Sequence, residues 1–194
     1  MPRASRKQAQ ENREAIRDAA ARLFRENGVQ GISVADVMLA AGLTHGGFYG
    51  HFDSKDALAA QACAHAFEQA ALRWQTRHAA HRKPARARQA TVLHNLSPES
   101  RDVPGESCPV VGFAGDVARE PLDSTVRLAY VDGLKKLLDE FTRLTEGEHE
   151  AARRQQALAD FSLMIGALTL ARATRGDTLS EEVLDAARRQ LEGR

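Results

Sequence analysis

Residues 42–55 read GLTHGGFYGHFDSK and hold four glycines, two histidines and three aromatics in fourteen positions. Thr44, His45, Tyr49, His51 and Lys55 place hydroxyl, imidazole and ammonium donors within one short reach. Donors of this kind address phosphate oxygens and base edges. Gly46, Gly47 and Gly50 each weaken a helix by about 1 kcal/mol relative to alanine. That cost makes sense where an outside surface must come close.

A second reactive candidate is Cys108, which precedes Pro109 and follows Pro104-Gly105-Glu106-Ser107. Proline suits the first turn of a helix, so the thiol sits at a helix N-terminus, where the dipole stabilises a thiolate. Glu106 opposes that effect, and an inert buried thiol is the plainer reading. Cys63, among Leu58, Ala62, Ala66 and Phe67, reads as core. Two cysteines make no disulfide framework and suggest a reducing compartment. His78 and His81, and His65 near Cys63, lack the partners that complete a metal set and read as surface histidines. We expect no metal and no cofactor. The chain also holds no phosphate-cradling glycine loop and no serine with a base and an orienting acid.

The elements that carry these residues are helical. Over 194 residues, 43% are apolar and 27% charged, with few prolines and aromatics, as expected of an all-α globular protein. The net charge of +1 excludes no class of partner. Ser5 and Gln8 fit a capping box, and Ile16, Ala20, Leu23 and Phe24 repeat at helical spacing until Asn27-Gly28. Arg3, Arg6 and Lys7 form a basic tip. Ser33, with Asp36 three residues on, caps a second helix carrying Val34, Val37, Met38 and Ala41, and Gly42 ends it. Thr44 caps a third short helix with Phe48 and Phe52 on its buried face; Asp53-Ser54 caps a fourth, running to about residue 81. Further helices are expected over 86–96, from Cys108-Pro109 to before Glu120-Pro121, over 124–144 and 148–175, and through Leu191. Residues 97–106, with Pro98, Pro104 and Gly105, read as a loop. The longest apolar stretch, 161–171, is too short for a membrane span, and the polar residues 2–12 contain no secretory signal. We therefore expect a cytoplasmic protein.

Helix, glycine turn and short polar-faced helix make a helix-turn-helix arrangement. The stretches Ser33–Val37, Ala41-Gly42-Leu43-Thr44, Gly46-Gly47-Phe48-Tyr49, His51-Phe52 and Ser54-Lys55-Asp56-Ala57-Leu58 resemble the DNA-binding segment of the TetR family of transcriptional repressors. The likeness covers about residues 8–60; beyond them it rests on the order and length of helices. It implies a DNA-binding domain at 1–54 and a helical ligand-binding and dimerisation domain at 55–194. Ser33, Tyr49 and Lys55 would then contact phosphates, Thr44, His45, Gly46 and Gly47 would face base edges, and His51 a phosphate or base. Lysine often stands in place of His45, so here the contact weakens as the imidazole loses its proton. Met38 stands where alanine is usual, and Gly50 where a larger polar residue is common.

The resemblance further implies a homodimer reading a palindromic operator, and a small-molecule inducer. Tyr130, Leu134, Leu137, Phe141 and Leu144 form a narrow apolar seam, and Leu158, Phe161, Leu163, Met164, Ile165, Leu168 and Leu170 cover nearly every side of the next helix. A dimer interface through 124–144 and 148–175 accounts for both, as does an internal core. Phe67, Trp74, His94, Phe113, Tyr130, Phe161 and Met164 are candidate pocket lining, with Cys108 as a candidate sensor of oxidants or electrophiles. Arg73, Arg77, Arg82, Lys83, Arg86 and Arg88 run without an acid and read as a solvated basic face. The rival reading is a helical enzyme or carrier whose N-terminal unit merely packs. We expect a ligand-responsive regulator, not an enzyme.

Overall fold

The computed structural model describes residues 6–192, which form nine α-helices and two short 3-10 segments with no strand among them. Arg3 and Ser5 of the expected basic tip and cap lie outside the described residues. Helix α1 (Arg6–Asn27) buries Ile16, Ala20 and Phe24 and stops at Gly28, whose φ of 77° is open to glycine at little cost. Helix α2 (Val34–Ala40) begins on Ser33 and ends in paired closing bonds, Leu43 N–H to Met38 O at 2.9 Å and Gly42 N–H to Leu39 O at 3.0 Å. This is the Schellman closure, with Gly42 at φ 72°.

The third short helix is a 3-10 segment, His45–Gly50, and Thr44 makes no side-chain cap bond. Three glycines in six residues explain the tighter, weaker form. Helix α3 (Lys55–Ala79) starts on Ser54, whose Oγ accepts from Ala57 N at 3.0 Å. It packs on both α1 and α7, so one rod joins the small unit to the body.

The body continues with α4 (Pro84–Asn95), α5 (Pro98–Asp102), a 3-10 turn (Pro104–Glu106), α6 (Pro109–Val117), α7 (Thr125–Leu144), α8 (Glu150–Ala173) and α9 (Thr178–Glu192). Residues 97–106 are thus not a plain loop. Ser97 caps the 3.1 Å amide of Ser100 and Pro98 takes the first turn, so the proline that punctuates the sequence starts a helix here.

The seam on α7 faces its own chain. Leu137 and Phe141 are fully buried, and Gly133 lies so close to Phe67 of α3 that a Cβ there would overlap the ring. Of the two roles open to this seam, the internal core is the one it fills here, with α3 as its partner. Helix α8 is likewise not buried on every flank. Phe161, Met164 and Leu168 point into the core, whereas Leu158, Leu163 and Leu170 are exposed on the other side. The aromatic side chains expected around a ligand pack on one another. Trp74, Phe141 and Phe161 have ring centroids 5.7–6.3 Å apart, and Phe67 meets Tyr130 edge-on at 5.5 Å. Phe113 and Met164 are buried in the same core.

The basic stretch on α3 and α4 is not uniformly solvated. Arg88 is buried and pairs with Asp160 of α8 at 2.5 Å, while Arg73 and Arg77 are half-buried. His78 is not a surface histidine either, because it meets Glu140 at 3.0 Å and Thr91 at 2.9 Å. No helix among the described residues is long and apolar enough to cross a membrane.

Candidate nucleic-acid interface

The local backbone sets the site before any side chain acts. Ser33 Oγ accepts from Asp36 N at 3.2 Å, and Asp36 Oδ2 accepts in return from Ser33 N at 2.9 Å and from its hydroxyl at 2.6 Å. The hydroxyl and amide of Ser33 hold the Asp36 carboxyl below its usual range. Ser33 therefore spends its hydroxyl proton inside the cap. From α2 the chain turns at Gly42 and delivers residues 44–50 to the surface.

Within that segment only Phe48 is buried; Thr44, His45, Gly46, Gly47, Tyr49 and Gly50 are all exposed. Phe48 acts as the peg. It stacks on Phe52 at 5.9 Å and takes the edge of Tyr49 at 5.2 Å, leaving Tyr49 73% exposed with its ring direction set. A Cβ at Gly46 or Gly50 would meet nothing within 4 Å, and at Gly47 only Met38 Cε at 3.7 Å. None of the three has a positive φ. Neither internal packing nor backbone conformation calls for glycine here. Met38 is buried beneath this segment, and even a Cβ at Gly47 would meet its Cε only at ordinary contact distance, so the long side chain fits there.

Two contributors escaped the sequence reading. Arg13 of α1 donates to His51 O and, at 2.9 Å, to Gln61 Oε1, with its guanidinium 4.6 Å over the Phe52 ring. It ties the end of the exposed segment to α1 and α3. Nothing in the sequence pairs one charged residue of α1 with a carbonyl 38 positions on. Leu39, 78% exposed beside this face, also had no local signal. His51 and Lys55 are half-buried at the rim of the segment.

The unit is bolted to the body along α6. Asp116 Oδ2 accepts from Val29 N at 3.0 Å, and Arg25 Nη1 donates to Ser107 O at 2.9 Å at the other end. Between them Gly112 lets α1 approach, since a Cβ there would lie 2.6 Å from Arg25 Cγ. Replacing Asp116 by alanine orphans the Val29 amide and should cost about 1–3 kcal/mol. Amide exchange at Val29 should accelerate, while the central amides of α3 keep their protection; equal protection at Val29 would show that the bond carries no weight.

Residues 16–62 match the family model described as bacterial regulatory proteins, tetR family. The N-terminal unit is thus similar to that of the TetR family. The HTH-type transcriptional regulator AcrR of Shigella flexneri is 43% identical over 58 residues, which are 30% of this chain and 27% of that protein. The match thus spans about a quarter of the curated relative's length. A TetR transcriptional regulator from Chloroflexus aurantiacus is 26% identical, with a TM-score of 0.78 over 96% of this chain and 95% of that one. The structure of AibR with isovaleryl coenzyme A and operator DNA gives a TM-score of 0.63 at 17% identity, over 92% and 97% of the two chains. The last likeness is one of fold. The fold this chain shares with these structures is an N-terminal helix-turn-helix followed by a larger helical body.

Beyond the helix-turn-helix, Cys108 caps the start of α6 and is 7% exposed. Burial pushes its thiol up; the amides of Val111 and Val110 and the guanidiniums of Arg172 and Arg25 pull the other way, and burial prevails. The helix N-terminus does aid the thiolate, as its position implies, but a dry site favours the thiol. Cys63 is fully buried, with its thiol raised to about 12.

Proposed function

We propose that this chain is a ligand-responsive transcriptional repressor that binds a palindromic operator as a homodimer. The observation that carries the reading is the exposed 44–50 segment, whose glycines serve no internal purpose. A surface stripped of side chains at its leading end fits a major groove, and the flanking donors suit phosphates. In this reading residues 1–54 form the DNA-binding domain and 55–194 the ligand-binding and dimerisation domain. Tyr49 and Lys55 donate to phosphates, Thr44, His45, Gly46 and Gly47 face base edges, and His51 lies at the rim. Ser33 contributes by fixing α2, because its hydroxyl is engaged with Asp36.

The outer face of α8 supports the dimer. Leu158, Leu163 and Leu170 alternate there with Ala159, Ser162 and Gly166, a surface that lets a second copy come close. A two-fold pair of recognition segments must match successive major grooves, roughly 34–36 Å apart. A ligand that shifts α6 moves α1 through Arg25 and Asp116 and changes that spacing. Retardation of the DNA upstream of its own reading frame, weakening steeply with salt, tests the proposal; absence of retardation at low salt counts against it.

Cys108 is the proposed covalent trigger. It is reached when the 104–107 strap lifts, and modification there would wedge the α6 N-terminus away from Arg25. Cys108→Ser should keep operator affinity and blunt release by diamide or methylglyoxal. Unchanged release in that variant would remove the sensor from the account.

A further inference from the structure

Three guanidinium groups from three helices converge beside Cys108, and among the described residues none is in ion-pair contact with a carboxylate. Arg25 of α1 and Arg172 of α8 both hold Ser107, the first through its carbonyl at 2.9 Å and the second through its hydroxyl. Arg172 also donates to Ser100 O at 2.8 Å, and its Nε is buried with no partner. Arg73 of α3 makes no hydrogen bond among the described residues, and Glu106 is the carboxylate whose charge reaches it, from beyond ion-pair contact. Burial draws Arg25 down to about 10, and the charge of Arg73 adds to the effect. Arg25 is buried and Arg73 and Arg172 are half-buried, and like charges drawn this far from water without a carboxylate in contact favour an anion between them.

The space for that anion is present. A cleft of about 610 Å³ opens between α1, the end of α2, α3 and the Pro104–Glu106 turn. Arg22, Arg25 and Arg73 line it with positive charge and Asp18 and Glu106 with negative, while Ala15, Ala19 and Ala41 form its apolar wall. The volume suits a metabolite-sized molecule. A guanidinium fork matches a carboxylate in geometry, the Glu106 charge disfavours a dianion, and the alanines favour an apolar tail.

We propose that this cleft binds a small monocarboxylate, its head held by Arg73 with Arg25 behind it and its tail against the alanines of α1 and α2. The site deepens the regulatory reading above and rests on it for one consequence only: the occupant touches α2, which braces the 44–50 segment, and so biases DNA binding.

The test is titration calorimetry without DNA, at fixed chloride, using benzoate, its neutral isostere benzamide, and inorganic phosphate. Benzoate should bind at least about tenfold more tightly than either, since it alone combines the charged head with the apolar ring: benzamide lacks the first and phosphate the second. Arg73→Gln should weaken benzoate about tenfold without lowering the thermal midpoint of the unliganded protein, because Arg73 bonds to nothing in the fold. Glu106→Gln should tighten it. No benzoate binding up to ~10 mM, equal binding of benzamide or phosphate, or indifference to Arg73→Gln would overturn the proposal. Arg73-dependent benzoate binding by a chain that retards no DNA would retire the regulatory reading and leave the site standing. Operator retardation by a chain that fails to bind benzoate would do the reverse.

Discussion

A chain carrying Tyr49→Phe together with Lys55→Ala should lose operator retardation while melting like the wild type. Tyr49 is 73% exposed and its hydroxyl has no hydrogen bond among the described residues, so the ring still packs edge-on against Phe48 after the change. Lys55 opens α3 but makes no ion pair among the described residues, and Ser54 remains to cap the helix. Nothing internal is therefore lost. Outside, each protomer gives up two donors to phosphate, and a two-fold dimer gives up four. At about 1.5 kcal/mol for each bond to a charged acceptor the sum is about 6 kcal/mol, on the order of 10⁴-fold in affinity. The salt dependence should also flatten by about one ion per lysine removed. Retained retardation with an unchanged salt slope would mean that this face does not meet the duplex.

The second large effect concerns stability. Asp160→Ala should lower the unfolding free energy by about 3–5 kcal/mol, because it strands the Arg88 guanidinium inside the body. The pair is almost wholly buried, with side chains 7% and 1% exposed, and Arg88 is further fixed by Leu191 O at 3.2 Å and by the Phe141 ring at 5.4 Å. The attraction between the two charges and the cost of drying them nearly cancel, so removing both is mild where removing one is severe. Arg88→Met with Asp160→Leu should accordingly unfold close to the wild-type denaturant midpoint. If both versions were equally damaged, packing volume rather than charge would be the cause. The pair links α4 to α8, so its loss should also loosen the C-terminal helices.

Local chemistry explains why so much of the N-terminal unit was legible. Asn27-Gly28, the Ser33–Asp36 box, Gly42 and Ser54 each act within a few residues, and each appears in the structure where its spacing put it. Phe48 and Phe52 show their burial by periodicity alone. The helical order of the body was legible for the same reason, apart from the 97–106 segment, where a capping serine and a proline serve a helix start as readily as a turn.

What a helix packs against is a different matter. An apolar seam states only that it needs a partner, and the α7 seam found α3 through Gly133 and Phe67, two residues with no shared local pattern. Arg88 and Asp160, Arg13 and His51, and Arg25 and Ser107 meet across 72, 38 and 82 positions. By itself, then, the sequence determined the all-α class, the caps and stops of the N-terminal unit, and the stripped face around Tyr49, because turn geometry and side-chain periodicity are short-range. Only the tertiary structure decided which seam is internal, how α6 grips α1, and that three arginines converge beside Cys108. Those outcomes depend on where distant backbones come to rest, and charge meets charge there through burial that no local spacing encodes.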